Sequence, residues 1–500
     1  MRSVIMIASA IMLITPEIAN CTLSISLDGV NYQADGNGAA SARFSRSTSY
    51  APFLRNKFYV DGKAFPFLTI LGLRVSARNY NVTNERLRYL CIPSSVETLG
   101  DDCFWHCRNL SSITFELGSR LTVMKNFAFR CCSSLASICI PFSIERIGSK
   151  CFEKCTSLSS VTFEPGLQLA IMECSAFSEC SSIKSIYIPS NVMMIGRWCF
   201  NKCANLSSVT FESDSQLGGI GDYAFFGCSS LAHMYISPSV ETIGNGCFCI
   251  CRSLGSVTFE SGFRLETIAE EAFKECSFLE SICIPFSLER IGSKCFEKCT
   301  SLSSVTFESG SQLAIMSDSA FAGCSSLASI CIPFSLERIG SKCFEKCANL
   351  SSVTFESGSQ LAIMGGSAFT DCSSLESICI PSSVGRISSR CFEGCRNLSG
   401  ITFEPNSRLK TIGSFAFAGC SSLTPICLPA SLERIDDRCF DGCIRLSIVE
   451  FEYDPHLKEV GRNAFPEGIE VAGCPIKFKN VMIACKLADW GKKISNIFKR

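Results

Sequence analysis

Thirty-five cysteines, three histidines and a row of glutamates are the residues of this 500-residue chain whose types could do chemistry. The cysteines recur in Cys-x-x-x-Cys pairs such as Cys151–Cys155. Single members also recur at two alternating intervals, from Cys107 through Cys132, Cys155 and Cys180 to Cys443. Thiols in that number could staple the chain, hold a soft metal or fill space. Metal capture is disfavoured, because His106, His233 and His456 are the whole histidine complement and the pairs recur by translation instead of converging as CxxC…CxxC. Stapling is disfavoured too: disulfide frameworks belong to small secreted domains, and successive members of a repeated column project in parallel. The favoured reading is a buried thiol that packs as a small apolar group and makes a weak hydrogen bond to a turn. The glutamates, Glu116, Glu164, Glu212, Glu260, Glu308, Glu356, Glu404 and Glu452, recur at one constant step. Acid–base catalysis needs an individually tuned carboxyl, which a translated row does not supply. The row reads as a solvated edge against lateral aggregation, with an acidic ridge for Ca²⁺ or basic partners as the competing reading. No nucleophile–base pair, phosphate loop or metal cluster stands out, so neither an enzyme nor a cofactor is expected.

The elements that must position these residues are repeats. Strand-like segments of the Ile-Cys-Ile type centre on Cys91, Cys139, Tyr187, Tyr235, Cys283, Cys331, Cys379 and Cys427, with the same constant step as the glutamates. Partner segments centre on Thr114, Thr162, Thr210, Thr258, Thr306, Thr354, Thr402 and Glu450, again with that step. Short repeats, the first Leu87–Asn109, therefore alternate with longer ones, the first Leu110–Ser134, sixteen in all, from Leu87 to Glu470. Within each, period-2 alternation predicts a short half-buried strand. The Ile-Gly that follows predicts a turn, with Gly148 suited to positive φ. The i, i+4 spacing of Cys151 and Cys155 predicts a single helical turn. No repeat can bury its apolar stripe alone, so stacking makes the core. Two phenylalanine columns, beginning Phe104, Phe129, Phe152 and Phe115, Phe163, Phe211, run through it.

The run Leu-x-x-Ile-x-Ile-Pro-x-x-Ile-x-x-Ile-Gly-x-x-Cys-Phe-x-x-Cys, from Leu135 to Cys155, resembles the short leucine-rich repeat of the BspA-like surface antigens. The resemblance covers about three quarters of the chain. Cysteine stands where the family has alanine before the Phe in short repeats (Cys103, Cys151, Cys199), and long repeats carry Glu where short ones carry Pro. It implies a right-handed leucine-rich-repeat solenoid, one parallel β-sheet on its concave side and short helical turns on its convex side. It also implies a cell-surface location and binding of host or matrix proteins.

Equal totals of 46 basic and 46 acidic residues argue against nucleic acid as partner. Residues 1–20 read as a signal peptide, with an apolar run from Val4 to Ile14 that is too short to cross a bilayer. Residues 21–86 lack the repeat and read as an amino-terminal cap, with strands at Phe58–Val60 and Phe67–Leu71. Residues 471–500 read as a partial rung and an amphipathic helix through Ile483, Leu487, Trp490, Ile494 and Ile497. That helix covers the open end, or touches a membrane surface through Lys486, Lys492, Lys493 and Lys499. No transmembrane span is expected.

Function is expected on the outward strand positions Cys139, Thr162, Tyr187, Thr210, Tyr235 and Thr258, where the two tyrosines would anchor a protein or glycoprotein ligand. The bland reading is that Tyr and Cys simply suit a β surface. Asn81, Asn109, Asn205, Asn349 and Asn397 head N-glycosylation sequons, four of them by-products of the repeat's own Asn-Leu-Ser. Ile282–Cys299 recurs unaltered at Ile330–Cys347, which suits adhesion by many weak contacts. The expected function is a secreted or surface adhesin. The alternative is an intracellular, cytoplasmic leucine-rich-repeat scaffold or regulator.

Overall fold

The computed structural model describes residues 88–472 except 93, 95, 261, 263, 453 and 454, together with the backbone of five strands between Leu23 and Pro66. The signal segment, Asn81 and the carboxyl-terminal helix expected from the sequence lie outside the described residues. The chain divides into two units, 1–240 and 241–500.

Both units are built from the same coil, a parallel β-solenoid with one turn per repeat. Each turn holds a four-residue strand, such as Ser137–Ile140 or Ser160–Phe163, then a two-residue strand, such as Arg146–Ile147 or Ile171–Met172. The four-residue strands alternate outward and inward: Ile138 and Ile140 are buried while Ser137 and Cys139 are exposed. That alternation follows from the period-2 pleat.

The two families of strand pair differently. Two-residue strands pair in unbroken succession within each unit, Val123 with Arg146, Arg146 with Ile171 and Ile171 with Met194. Four-residue strands pair over their full length only from a short repeat to the long one after it, as Ser137–Ile140 with Ser160–Phe163. From a long repeat to the next short one they share a single position, as Ser112 with Ser137, or none, until the last long strand, where Ile448–Glu450 pairs with Glu470–Ala472. They diverge toward the end at which the long repeat carries its extra length. The single continuous sheet expected from the longer strands is thus a set of small groups, and the regular ladder belongs to the shorter ones.

The expected helical turns are absent among the described residues. Around Cys151–Cys155 alternate donors go to different places. The Cys151, Glu153 and Cys155 N–H groups reach back three residues to Gly148, Lys150 and Phe152 at 3.2, 3.2 and 3.1 Å. The Lys150, Phe152 and Lys154 N–H groups cross to Cys174, Ala176 and Ser178 of the next turn at 2.9, 2.7 and 2.8 Å. An α-helix would send every donor to i−4. Here left-handed residues, Lys150 at φ 56° and Lys154 at φ 63°, rotate every second donor outward, so the turn stacks as a third ladder. Gly148 is not among the left-handed residues. A Cβ there would lie 2.6 Å from the Lys125 carbonyl carbon and 2.8 Å from the Asn126 nitrogen, so close approach of the preceding turn demands the glycine.

Phenylalanines fill the interior. Phe104, Phe129, Phe152, Phe177, Phe200 and Phe225 stack in the first unit, and Phe248 through Phe440 to Phe465 in the second. Successive rings in the second unit lie 5.1–5.5 Å apart, inside the range for favourable offset stacking.

At the amino end a hairpin, Lys57–Val60 with Lys63–Pro66, pairs antiparallel with Tyr89–Ile92 through Tyr59 opposite Cys91. This occupies the free edge of the first repeat strand. The hairpin's second strand is Lys63–Pro66, and Phe67–Leu71 lies outside the described residues. Leu23–Leu27, Val30–Ala34 and Ala40–Phe44 form a separate antiparallel meander.

Candidate binding surface

The outward positions of the four-residue strands stand where the repeat pattern puts them. Cys139 pairs with Thr162 and Tyr187 with Thr210, each in parallel register on adjacent strands. Cys139, Thr162, Tyr187, Thr210 and Tyr235 are exposed in the first unit, and Thr258 is exposed in the second. Tyr187 and Tyr235 keep 42% and 41% of their surface open, too much for core residues of a pleated face. Partial desolvation and the neighbouring Glu212 carboxylate raise the Tyr187 hydroxyl above its ordinary pKa. Glu212 itself is held below the usual carboxylate range, first by the Ser190 backbone N–H and then by the Ser190 hydroxyl.

That Ser190 contact shows what the glutamate row does. In each of seven long repeats the Glu Oε2 accepts from the backbone N–H that follows the proline position of the preceding short repeat. Glu116 takes Ser94 at 3.0 Å, Glu164 Phe142 at 2.9, Glu212 Ser190 at 2.7 and Glu308 Phe286 at 2.9. Glu356 takes Phe334 at 3.0 Å, Glu404 Ser382 at 2.9 and Glu452 Ala430 at 3.0. The equivalent donor position before Glu260 is Pro238, which has no N–H to give. The row is a column of side-chain caps on corner amides that the strands leave unpaired. The sequence signal for it is the fixed offset between each Glu and the corner it caps, the same from Glu116 back to Ser94 as from Glu452 back to Ala430.

The thiols fall into two environments. Column members are buried and donate to a backbone carbonyl of the preceding turn: Cys155 to Phe129 at 3.2 Å, Cys180 to Phe152 at 3.0, Cys347 to Phe321 at 3.2 and Cys395 to Phe369 at 3.1. Burial pushes Cys203, Cys347 and Cys395 up to about 12. Cys139, Cys174, Cys283, Cys331, Cys379 and Cys427 are exposed instead, and all cysteines among the described residues are free.

The sequon asparagines Asn109, Asn205, Asn349 and Asn397 are exposed. Their serines are in use, however. Ser111, Ser207, Ser351 and Ser399 donate Oγ–H to Arg88, Lys184, Ala328 and Glu376 carbonyls at 3.0, 2.9, 3.1 and 3.1 Å. Ser159 and Ser303, outside any sequon, do the same, so the serine belongs to the coil.

Sequence reasoning gives Arg197 and Trp198 no role. They join an aromatic cluster on the turn ladder. Trp198 stacks on Tyr223 at 4.3 Å, Phe226 meets both edge-on, and the Arg197 guanidinium lies 5.8 Å from each of the first two rings. The available signal is that Trp198 and Tyr223 hold equivalent positions in successive repeats.

Sixteen copies of one strand–turn–strand–turn coil, with leucine and isoleucine inside, define a leucine-rich-repeat solenoid. The BspA type leucine-rich repeat region matches residues 76–173, 168–276, 266–399 and 362–479, and the chain belongs to this family. Among solved structures, a leucine-rich repeat protein from Bacteroides ovatus is 24% identical with a TM-score of 0.53, over 84% of this chain and 92% of that one. A leucine-rich cell surface protein from Faecalibacterium prausnitzii is 22% identical with a TM-score of 0.36, over 76% and 95%. The pneumococcal vaccine antigen PcpA is 18% identical with a TM-score of 0.36, over 92% and 96%. The first of these supports the fold alone. No curated protein matches the chain. Among the described residues no helix is long and apolar enough to cross a membrane.

Proposed function

We propose that the chain is a non-enzymatic protein-binding scaffold, acting as a secreted or surface-associated adhesin. Its contact row in the first unit is Cys139, Thr162, Tyr187, Thr210 and Tyr235, and Thr258 holds the same outward position within the second unit. The observation that carries this reading is the pair Tyr187 and Tyr235, both exposed on strands whose inward residues are buried. Tyrosine gives a large contact area for two rotatable bonds and is enriched at binding hot spots. Family membership supports the surface location, together with the leader read at residues 1–20. A stacked coil repeats weak contacts along its length, which suits adhesion by avidity.

The test is capture of a protein ligand from extracellular matrix by the full-length chain, then its titration against Tyr187→Ser/Tyr235→Ser. Loss of roughly tenfold or more in affinity, about 1.4 kcal/mol, is expected. Unaltered binding rejects this row. The free thiols favour a second reading, an intracellular scaffold, because reducing compartments keep thiols reduced. Cell fractionation with amino-terminal sequencing separates the two. A mature chain beginning at Met1 and recovered from the cytosol supports the second.

A further inference from the structure

The two-residue ladder of the second unit carries a row with no counterpart in the first. Its outward positions read Arg290, Ile315, Arg338, Ile363, Arg386, Thr411 and Arg434 on successive paired strands. An arginine therefore stands on every second strand, about 10 Å from the next. Arg290 gives its Nε–H to Ser317 Oγ at 3.2 Å, and Arg434 is engaged by Asp436 and Glu459. Arg338 and Arg386 are exposed, and among the described residues neither side chain has a hydrogen bond or ion-pair partner. In the first unit Arg146 pairs with Glu173, and the row then passes through Ile171 to Met194 and Gly219, so no cationic series forms.

The neighbouring row holds Glu289 and Glu337 beside the first two arginines, and Gly385 and Lys410 around Arg386. The unpaired guanidinium groups therefore keep donors facing solvent, in a geometry that matches carboxylate or sulfate two bonds at a time. Ile363, 40% exposed, stands between Arg338 and Arg386, and half-buried Ile315 between Arg290 and Arg338, giving an apolar step between charges.

We infer that this row is a docking surface for a linear acidic polysaccharide, with one anionic group per disaccharide meeting one guanidinium on every second strand. The isoleucines lie against the C–H faces of the intervening sugars. Charge spacing and side-chain type both favour this occupant. A nucleic acid strand carries a charge every ~3.4 Å, so arginines at this spacing would answer only about a third of its phosphates. Single-strand binders also stack bases on aromatic side chains, and none stands in this row. The surface shares no residue with the tyrosine row, so the two readings fail separately.

The test is retention of the full-length chain on immobilised heparin, which carries sulfate as well as carboxylate, and on hyaluronan, which carries carboxylate alone, with single-stranded oligothymidine and anionic lipid vesicles in parallel. Salt-sensitive binding to at least one polysaccharide is expected. It should fall at least tenfold in Arg338→Gln/Arg386→Gln with the far-ultraviolet circular dichroism unchanged. Lys202→Gln/Lys346→Gln removes the same charge from the turn ladder and is expected to bind as the parent does. Equal losses in the two double variants would reduce the effect to net charge and overturn the proposal. So would tighter binding to the vesicles or the oligonucleotide, or no retention on either polysaccharide.

Discussion

The buried cysteine column and the exposed cysteine row use one residue type, in the same repeats, for unrelated ends. Cys347 lies in the interior, donates to the Phe321 carbonyl and is pushed up to about 12 by desolvation. Cys331, earlier in the same repeat, stands exposed on a strand beside Thr354. Periodicity is therefore a guide to placement and a poor guide to chemistry. What a repeated residue does depends on which side of the coil its position faces.

The largest effect expected from this contrast is alkaline. Cys203, Cys347, Cys395 and Cys443 keep their protons in the folded chain up to about pH 12, while an unfolded thiol titrates near 9.0. Stability is thus fully present below pH 9 and falls as pH rises toward 12, where the folded thiols ionise as well. Linkage sets the slope at about 1.4 kcal/mol per buried thiol per pH unit. Urea unfolding under reducing conditions at pH 8 and pH 10 measures it. A midpoint independent of pH would mean that the column is not desolvated.

Next in size is the phenylalanine stack against which the thiols lie. Phe344→Ala removes a fully buried ring between Phe321 and Phe369 and should cost about 3–5 kcal/mol in urea unfolding. Truncating the exposed Phe334 should cost far less, and equal costs would erase the distinction between inside and outside. Gly292→Ala should cost about 1–3 kcal/mol, since its Cβ would lie 2.5 Å from the Ala269 carbonyl carbon. Glu356→Ala leaves the Phe334 N–H without its acceptor and should cost about 1 kcal/mol, which differential scanning calorimetry at neutral pH would detect.

The repeat length, the outward row and the thiol column are legible in the sequence because each rests on side-chain period, and a coil translates period directly into position. Three features are not. Cys-x-x-x-Cys has helical spacing, but left-handed Lys150 and Lys154 send alternate donors to the next turn, and nothing in a lysine announces positive φ. Sequence alone attributes Gly148 to its own φ, when the backbone of the preceding turn demands it, a reason that exists only after stacking. The glutamates look solvated when each is considered within its own repeat, while the amides they cap belong to another. The arginine row is hidden for the same reason. Arg290, Arg338 and Arg386 belong to separate repeats and become a series only when two-residue strands pair.

Thiol accessibility tests the central claim most directly. The reduced, native chain would be pulsed with an alkylating reagent at neutral pH, unfolded, labelled with a second reagent and mapped peptide by peptide. Cys139, Cys283, Cys331, Cys379 and Cys427 should take the first label, and Cys155, Cys203, Cys347 and Cys395 only the second. Early labelling of the column cysteines, at the rate of the strand cysteines, would contradict the stacked coil and its dry interior.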